Sequence, residues 1–430
     1  LSKYKYNDVL KWDVLSYYSY LPATFIDKDL TLQFVNPENN KTEEGIKYWY
    51  QQDAKGNRVL KYSMGMSVLY SPFFFAAHVL SGPLGYQQDG FSDIYEFFIE
   101  FSGLFYVFFG LVYLRKLLLN FFSEKITALT LLLVFFGTNV LYYATVESAM
   151  SHTYTFSVFS VFLYVVFCFY EKANFKKAFV LGLCVGLIIL IRPLNVLFIL
   201  PLLLFNINNL NDLRDRVTFI RSHFKYFLLL GLTAGILLLP QLVYYRYVTG
   251  QYFVFSYGKE GFFFDQFHVL DVLFSFRKGW VIYTPIMLFA LWGFWYVKTQ
   301  LAHVFRISLF VLFVLYVYLV SSWWCWWYGG SFSQRALIDV YPLLALSLGA
   351  FLFKLQSFHE IKRRLVCILI ALLVVLNIFQ TVQYKYNIID YDGMTAKAYI
   401  QVFGTLNEKK IDVSLLNKPD YEKAISGLDE

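Results

Sequence analysis

Asp13 stands in WDVLSYYSYLPATFI, residues 12–26, where it is the only acid among many aromatic side chains. A carboxylate in this position can cap a helix that starts beside it, or it can accept a proton from a bound reactant. If residues 13–26 begin a helix, Tyr17 and Tyr20 fall at i+4 and i+7 and share the carboxylate's face. Glu147 and His152, in VESAMSH, form a second polar group, readable as a satisfied turn or as a pair that orients a reactant or supports Asp13. Four cations, Arg192, Arg277, Lys278 and Arg335, stand at the edges of apolar runs. Each can snorkel to a lipid headgroup, and together they can hold an anion. The run SSWWCWWYGG, residues 321–330, reads first as an interfacial aromatic belt, with Tyr328 leading a Gly-Gly turn into the next apolar run.

The elements that must position these groups are set by composition. Of the 430 residues, 58% are hydrophobic and only 16% charged, where a water-soluble chain carries about a quarter charged. The apolar residues come in blocks such as FSGLFYVFFGLVYL and LVCILIALLVVLNIF, and runs of about 18 or more cross a bilayer. The chain is therefore expected to be an all-α, polytopic transmembrane helix bundle. Spans are predicted near 93–119, 126–144, 153–170, 177–191, 193–205, 224–244, 280–298, 303–322, 336–354 and 365–383, the pair around Arg192-Pro193 being short enough to be broken or re-entrant.

Every second break between spans is basic. These breaks hold Arg115, Lys116 and Lys125; Lys172, Lys176 and Lys177; Arg214, Arg216, Arg221 and Lys225; Lys298 and Arg306; and Lys354, Lys362, Arg363 and Arg364. By the positive-inside rule they are cytoplasmic. The alternate segments, 1–92, 145–152, the turn at Arg192, 245–279, 323–335 and 384–430, then share the outer side, and parity calls for one more span ahead of residue 1. Three regions follow: an outer loop over 1–92, a helical bundle over 93–383, and a short outer tail over 384–430. Within the loop, YYSYLPATFI and residues 64–80 are interrupted by Pro22 and Pro72 and read as interfacial helices. The stretch from Asn36 to Tyr62 between them reads as a solvated loop. The net charge of +7 comes with no basic, aromatic-interleaved polar segment, so the cations are topology signals and no nucleic-acid partner is expected. Four scattered cysteines and six unclustered histidines offer no metal or redox spacing.

The order of WDVLSYYSYLPATFI, KYSMGMSVLYSPFFFAAH, ESAMSH, IRPLNVLFILP, FSFRKGWVIYTP and WWYGGSFSQRALIDVYPLLAL resembles the glycosyltransferase C superfamily over nearly the whole chain. The nearest look is to bacterial members similar to protein O-mannosyltransferases and aminoarabinose transferases. The resemblance implies an inverting sugar transfer from a polyprenyl-phosphate donor to a glycan, lipid or protein acceptor, among membrane lipids, at the periplasmic side of a bacterial inner membrane. Asp13 would be the base. Tyr17, Tyr20, Glu147, His152 and Tyr328 would bind substrate, and Arg192, Arg277, Lys278 and Arg335 would hold phosphate. Many members carry two adjacent acids in the first outer loop, whereas Val14 follows Asp13 here, so a divalent metal stays an open cofactor. Two other functions fit the same spans. One is a lipid-linked glycan flippase, which the lack of charged groups at mid-membrane argues against. The other is a catalytically inactive relative serving as a subunit of a membrane assembly.

Overall fold

A computed structural model describes residues 9–38, 40–42, 45–53, 55–300, 304–407 and 411–428. The opening LSKYKYND and the side chain of Lys298 lie outside the described residues. Helix accounts for 64% of the structure and strand for 3%, which makes the chain all-α as expected.

The segment ahead of α4 holds α1 (Trp12–Tyr18), α2 (Tyr20–Phe25), a hairpin of β1 (Tyr50–Gln52) and β2 (Arg58–Leu60), and α3 (Gly65–Ser81). The bundle follows as α4 (Asp93–Leu118), α5 (Glu124–Phe136), α6 (Val140–Thr145), α7 (Ser151–Glu171) and α8 (Phe175–Ile191). A 3-10 turn over Pro193–Ile199 leads to α9 (Leu200–Leu203), α10 (Leu210–Ser222) and α11 (Phe224–Thr249). Next come α12 (Val269–Phe274), α13 (Trp280–Tyr283), α14 (Met287–Gln300) and α15 (Arg306–Ser321). A second 3-10 turn, Arg335–Val340, runs into α16 (Tyr341–Leu355), followed by α17 (Glu360–Lys385) and the tail helices α18 (Ala396–Val402) and α19 (Tyr421–Ile425).

Among the described residues, five segments are long and apolar enough to cross a membrane: α4, α7, α11, the 335–355 segment and α17. Their burial separates centre from rim. The apolar window of the 335–355 segment is 94% enclosed, that of α17 only 17%. Leu365, Ile368, Leu372 and Val375 project outward from α17, a surface that water would not tolerate on this scale and lipid would. The chain is thus built as an integral membrane protein.

Other predicted spans are interrupted, each for a local reason. The one expected over 126–144 splits into α5 and α6 at Gly137–Asn139, where the buried Asn139 side chain accepts from the Tyr341 hydroxyl at 2.8 Å and donates to the Phe332 carbonyl at 3.4 Å. The one expected over 280–298 splits into α13 and α14 because Pro285 forces Thr284 out of the helical region, to φ −134° and ψ 54°. Pro72, by contrast, does not break α3, which runs through it. The open side of α3 carries Val68, Phe75, Val79 and Leu80, an apolar surface.

Helices approach closely where a side chain is missing. A Cβ on Gly103 of α4 would lie 1.9 Å from the Ser148 carbonyl oxygen, and one on Gly293 of α14 would lie 1.9 Å from that of Ser347 in α16. Small residues at such crossings are the usual device of membrane helix packing.

One expectation for the polar segments needs correction. The stretch from Asn36 to Tyr62 is folded. β1 and β2 pair antiparallel with Tyr50 opposite Leu60, and Tyr48, Val59 and Leu60 form a small second core with Tyr244 of α11. The tail is docked on the bundle: Gln383 donates to the Val402 carbonyl at 2.7 Å, and Arg277 donates to the Asn417 carbonyl at 3.0 Å.

Contacts join several of the segments between spans. Lys61 pairs with Glu260 at 2.5 Å, Ser256 donates to the Lys61 carbonyl, and the Phe263 N–H reaches the Ser322 carbonyl at 2.7 Å. Asn206 donates to the Val304 carbonyl at 2.7 Å, Tyr170 donates to the Leu202 carbonyl, and Lys225 lies over the Phe175 ring. Segments assigned to one side by the basic alternation therefore meet each other.

Candidate functional site

Asp13 does not cap α1. The N-cap is Lys11 in extended conformation, and Asp13 sits in the first helical turn with its side chain turned across the molecule. The Tyr62 hydroxyl donates to Oδ1 at 2.8 Å, and Arg335 Nη2 donates to Oδ2 at 2.9 Å. The pair closes a separation of 322 residues. Its side chains stay 25% (Asp13) and 12% (Arg335) exposed, so the carboxylate is reachable from outside. Burial disfavours the Asp13 charge, but Arg335, the Tyr62 hydroxyl, Lys61 and Arg192 outweigh it and hold the carboxyl below its ordinary value.

The tyrosines expected beside Asp13 divide. The ring of Tyr17 packs against Tyr62 at 4.5 Å between centroids, and its hydroxyl meets Ser151 Oγ at 3.2 Å. Tyr20 lies two helical turns past Asp13; Ser19, between α1 and α2, keeps helical dihedrals (φ −55°, ψ −24°), and its hydroxyl bonds back to the Leu15 carbonyl. Tyr20 packs on Tyr244 at 5.0 Å and donates to the Tyr62 carbonyl at 2.8 Å. Through that bond it braces the Tyr62 backbone.

Arg335 opens the 3-10 turn after a buried, irregular loop. Tyr328, Gly329 and Ser333 all take left-handed φ, at 57°, 63° and 56°, and strained backbone of this kind gathers at functional sites. The loop is held by the Tyr143 hydroxyl, which accepts from the Phe332 N–H at 2.9 Å, and by Gln334, which donates to the Trp326 carbonyl at 2.8 Å. Three enclosed polar atoms here, Ser333 Oγ, Gln334 Oε1 and Arg335 Nε, have no hydrogen-bond partner among the described residues.

Behind this pair lies a second chain of polar groups. Arg192 Nη2 reaches His152 Nε2 at 3.1 Å, His152 Nδ1 reaches Asp339 Oδ1 at 2.8 Å, and the Tyr316 hydroxyl donates to Asp339 Oδ2 at 2.9 Å. A guanidinium can only donate, so Nε2 accepts and the imidazole proton sits on Nδ1, pointing at Asp339. His152 thus links Arg192 to the 335–355 segment. Tyr328 is half-buried near this chain; burial raises its phenol, while Arg192 opposes that and Asp339 adds to it.

Glu147 accepts from Tyr142 at 3.0 Å. Burial pushes its carboxyl up, with Arg335, Tyr142 and Lys278 acting against that. Lys278 is buried and donates to the carbonyls of Ser331 and Tyr391. Burial lowers its ammonium to about 7, against the opposing pull of Asp392, Asp390 and Glu147. Arg277 is placed elsewhere, over the faces of Trp326 and Trp327 and bonded to the tail. Of the four expected cations, then, Arg335 meets Asp13 directly and Arg192 and Lys278 stand close behind. Arg277 is bound to the tail.

Sequence reasoning passed over Tyr62, Asp339 and Tyr316. Asp339 had a usable signal, being the one acid within the span expected over 336–354; the two tyrosines had none among 35 tyrosines. Among the described residues no group of three or more His, Cys, Asp or Glu side chains assembles to hold a metal, and Asp13 spends its oxygens on Tyr62 and Arg335. A scan against models of known protein families and a search of curated proteins both found no match to the chain.

Proposed function

We propose that the chain is an inverting glycosyltransferase that takes a sugar from a polyprenyl-phosphate donor at the outer, periplasmic face of a bacterial inner membrane. The observation that carries this reading is the Asp13–Arg335 pair, a partly open carboxylate and a guanidinium brought together at the end of an apolar bundle. Sugar transfer needs these two groups and in this proximity. The acceptor hydroxyl attacks the anomeric carbon as its proton passes to Asp13. The bond from that carbon to the phosphate oxygen breaks, its electron pair stays on the phosphate, and Arg335 stabilises the growing negative charge. Attack opposite the leaving group inverts the anomeric centre.

In the resting pair Arg335 makes Asp13 a weak base. A phosphate drawing the guanidinium toward itself relieves this, so donor arrival raises the basicity of Asp13 when a base is needed. Tyr62 fixes the carboxylate's direction throughout, and Arg192 and Lys278 supply background positive charge. The His152–Asp339 link holds the Arg192 end to the segment that carries Arg335.

One competing reading has an observation in its favour. A carboxylate and a guanidinium that satisfy each other also suit a silent relative, in which the pair is only structural. Donor binding separates the two. Replacing Arg335 by Gln should cost about 2.7–4 kcal/mol of transition-state stabilisation and weaken binding of a polyprenyl-phosphate sugar. Arg335→Lys should recover only part, since a point charge replaces a planar fork. If the purified parent binds no such donor, or if both variants bind and turn over donor like the parent, the proposal fails.

A further inference from the structure

Helix α10 (Leu210–Ser222) divides its circumference into three strips. One strip holds the helix to the bundle. Arg216 lies over the Tyr170 ring at 4.0 Å and donates to the Phe205 carbonyl, and Phe219 packs on Tyr170 at 5.0 Å. The second strip is apolar and open. Leu213, Val217 and Ile220 stand at i, i+4 and i+7 and so share one face; Leu213 and Val217 are 41% and 49% exposed. The third strip, beside the apolar one, carries Arg214 and Arg221, two turns apart and both exposed.

Water is a poor partner for such an apolar strip, and the place of α10 in the fold says what meets it instead. α11 (Phe224–Thr249) begins directly after α10. At 26 residues it is about 39 Å long, enough to cross a hydrocarbon layer of roughly 30 Å. Its Phe224, Leu228, Leu232, Ile236 and Val243 are exposed at spacings that keep them on one side, the surface offered to lipid. The start of α11 therefore stands at a membrane surface, and α10 with it. A narrow apolar strip flanked by arginines on an otherwise polar helix is the composition of a helix that lies in the headgroup layer and does not span. The nearby acids do not oppose this. Asp212 is spent in the capping box, where its carboxylate accepts from the Asn208 and Asn209 N–H groups at 2.6 and 3.1 Å. Asp215, two residues from both Leu213 and Val217, falls on the opposite side of the helix from the strip.

We propose that α10 is an interfacial anchor that binds an anionic phospholipid surface. Leu213, Val217 and Ile220 enter the boundary between headgroups and acyl chains, and Arg214 and Arg221 donate to lipid phosphates beside it. The planar guanidinium fork suits a phosphate group. Arg216, stacked on Tyr170 and bonded to the Phe205 carbonyl, fixes the rotation of the helix, so the apolar strip and the two arginines meet the membrane together. A zwitterionic surface would satisfy the apolar strip alone; the two exposed arginines add the preference for negative charge. The proposal needs only that the chain crosses a membrane and does not rest on the transferase reading.

The test uses the full chain, with its own cysteines replaced, in nanodiscs of equimolar phosphatidylcholine and phosphatidylglycerol. A nitroxide on Val217→Cys should be reached by oxygen and shielded from a water-soluble nickel chelate, while one on Thr218→Cys, on the polar side, should be open to the chelate. A label at residue 217 that the chelate reaches freely would place the strip in water and overturn the proposal. A label there shielded from both reagents would mean that a protein partner or a second copy covers the strip, which overturns it as well. A bimane on Val217→Cys then reports the lipid beside it. Phosphatidylglycerol carrying a doxyl group should quench it more than the matching phosphatidylcholine. Arg214→Gln with Arg221→Gln should remove that preference, each cation at an anionic surface contributing about fivefold in affinity. Equal quenching by the two lipids in the parent, or a preference that the double variant keeps, would also overturn the proposal.

Discussion

Breaking the Asp13–Arg335 pair from either side should destabilise the fold, and breaking it from both should cost less than the sum. Arg335→Gln leaves the Asp13 carboxylate, 25% exposed and still bonded to Tyr62, without its cation. Asp13→Asn leaves a guanidinium that is 12% exposed and whose Nε already lacks a partner. A fully buried pair broken from one side loses about 3–5 kcal/mol. With a quarter of the carboxylate open and Tyr62 retained, about 2–3 kcal/mol for either single variant is the scale to expect. The double variant should recover a coupling of about 0.5–3 kcal/mol, the range for residues in direct contact. The assay is reversible unfolding in mixed micelles for the parent, both single variants and the double variant. The cycle carries a pH signature as well. The folded carboxyl of Asp13 lies below its unfolded value of about 3.9, so the pair's contribution is complete above that pH and is lost as pH falls through the lower folded value. Asp13→Asn should flatten that acid limb. Additive single effects with an unchanged acid limb would refute the pairing.

Other consequences follow from single residues. Lys278 titrates near 7 when folded and at 10.5 when not; between those values the unfolded chain holds the extra proton, so stability should rise with pH, and Lys278→Met should remove that rise in melting experiments from pH 6.5 to 9. Gly293→Ala forces a methyl against the Ser347 carbonyl and should destabilise by about 1–3 kcal/mol, measured by thermal unfolding; a neutral result would mean that α14 and α16 are not so tightly packed. In a cysteine-free background, a cysteine at Lys47 should react with a membrane-impermeant reagent in intact cells and one at Arg214 should not. Labelling at both positions would remove the orientation on which an outward site depends.

Much of the architecture was readable because the bilayer imposes long apolar runs. The breaks inside predicted spans were harder. Gly137–Asn139 and Pro285 leave the mean apolarity of their runs nearly intact, and the reason for the first break, a bond from Tyr341 to Asn139, spans 202 residues. The hairpin escaped for a similar reason: its stretch is polar, and its few apolar residues find their partner in Tyr244, far along the chain. At the site, residue type and side of the membrane were enough to select Asp13 and Arg335 separately. Nothing in the spacing paired them, since contact across 322 residues is a property of the bundle. Tyr20 lies two helical turns past Asp13, and its bond to the Tyr62 carbonyl, 42 residues on, could not be read from that spacing.

The central claim is that Asp13 removes the acceptor's proton, and turnover of a polyprenyl-phosphate sugar by purified Asp13→Asn tests it most directly. The amide keeps the carboxylate's size and one accepting oxygen for Tyr62 but cannot take the proton, so the rate should fall by about 10²–10⁴ while donor affinity stays within a few-fold of the parent. Turnover at the parental rate would contradict the account and leave Asp13 as a structural partner of Arg335.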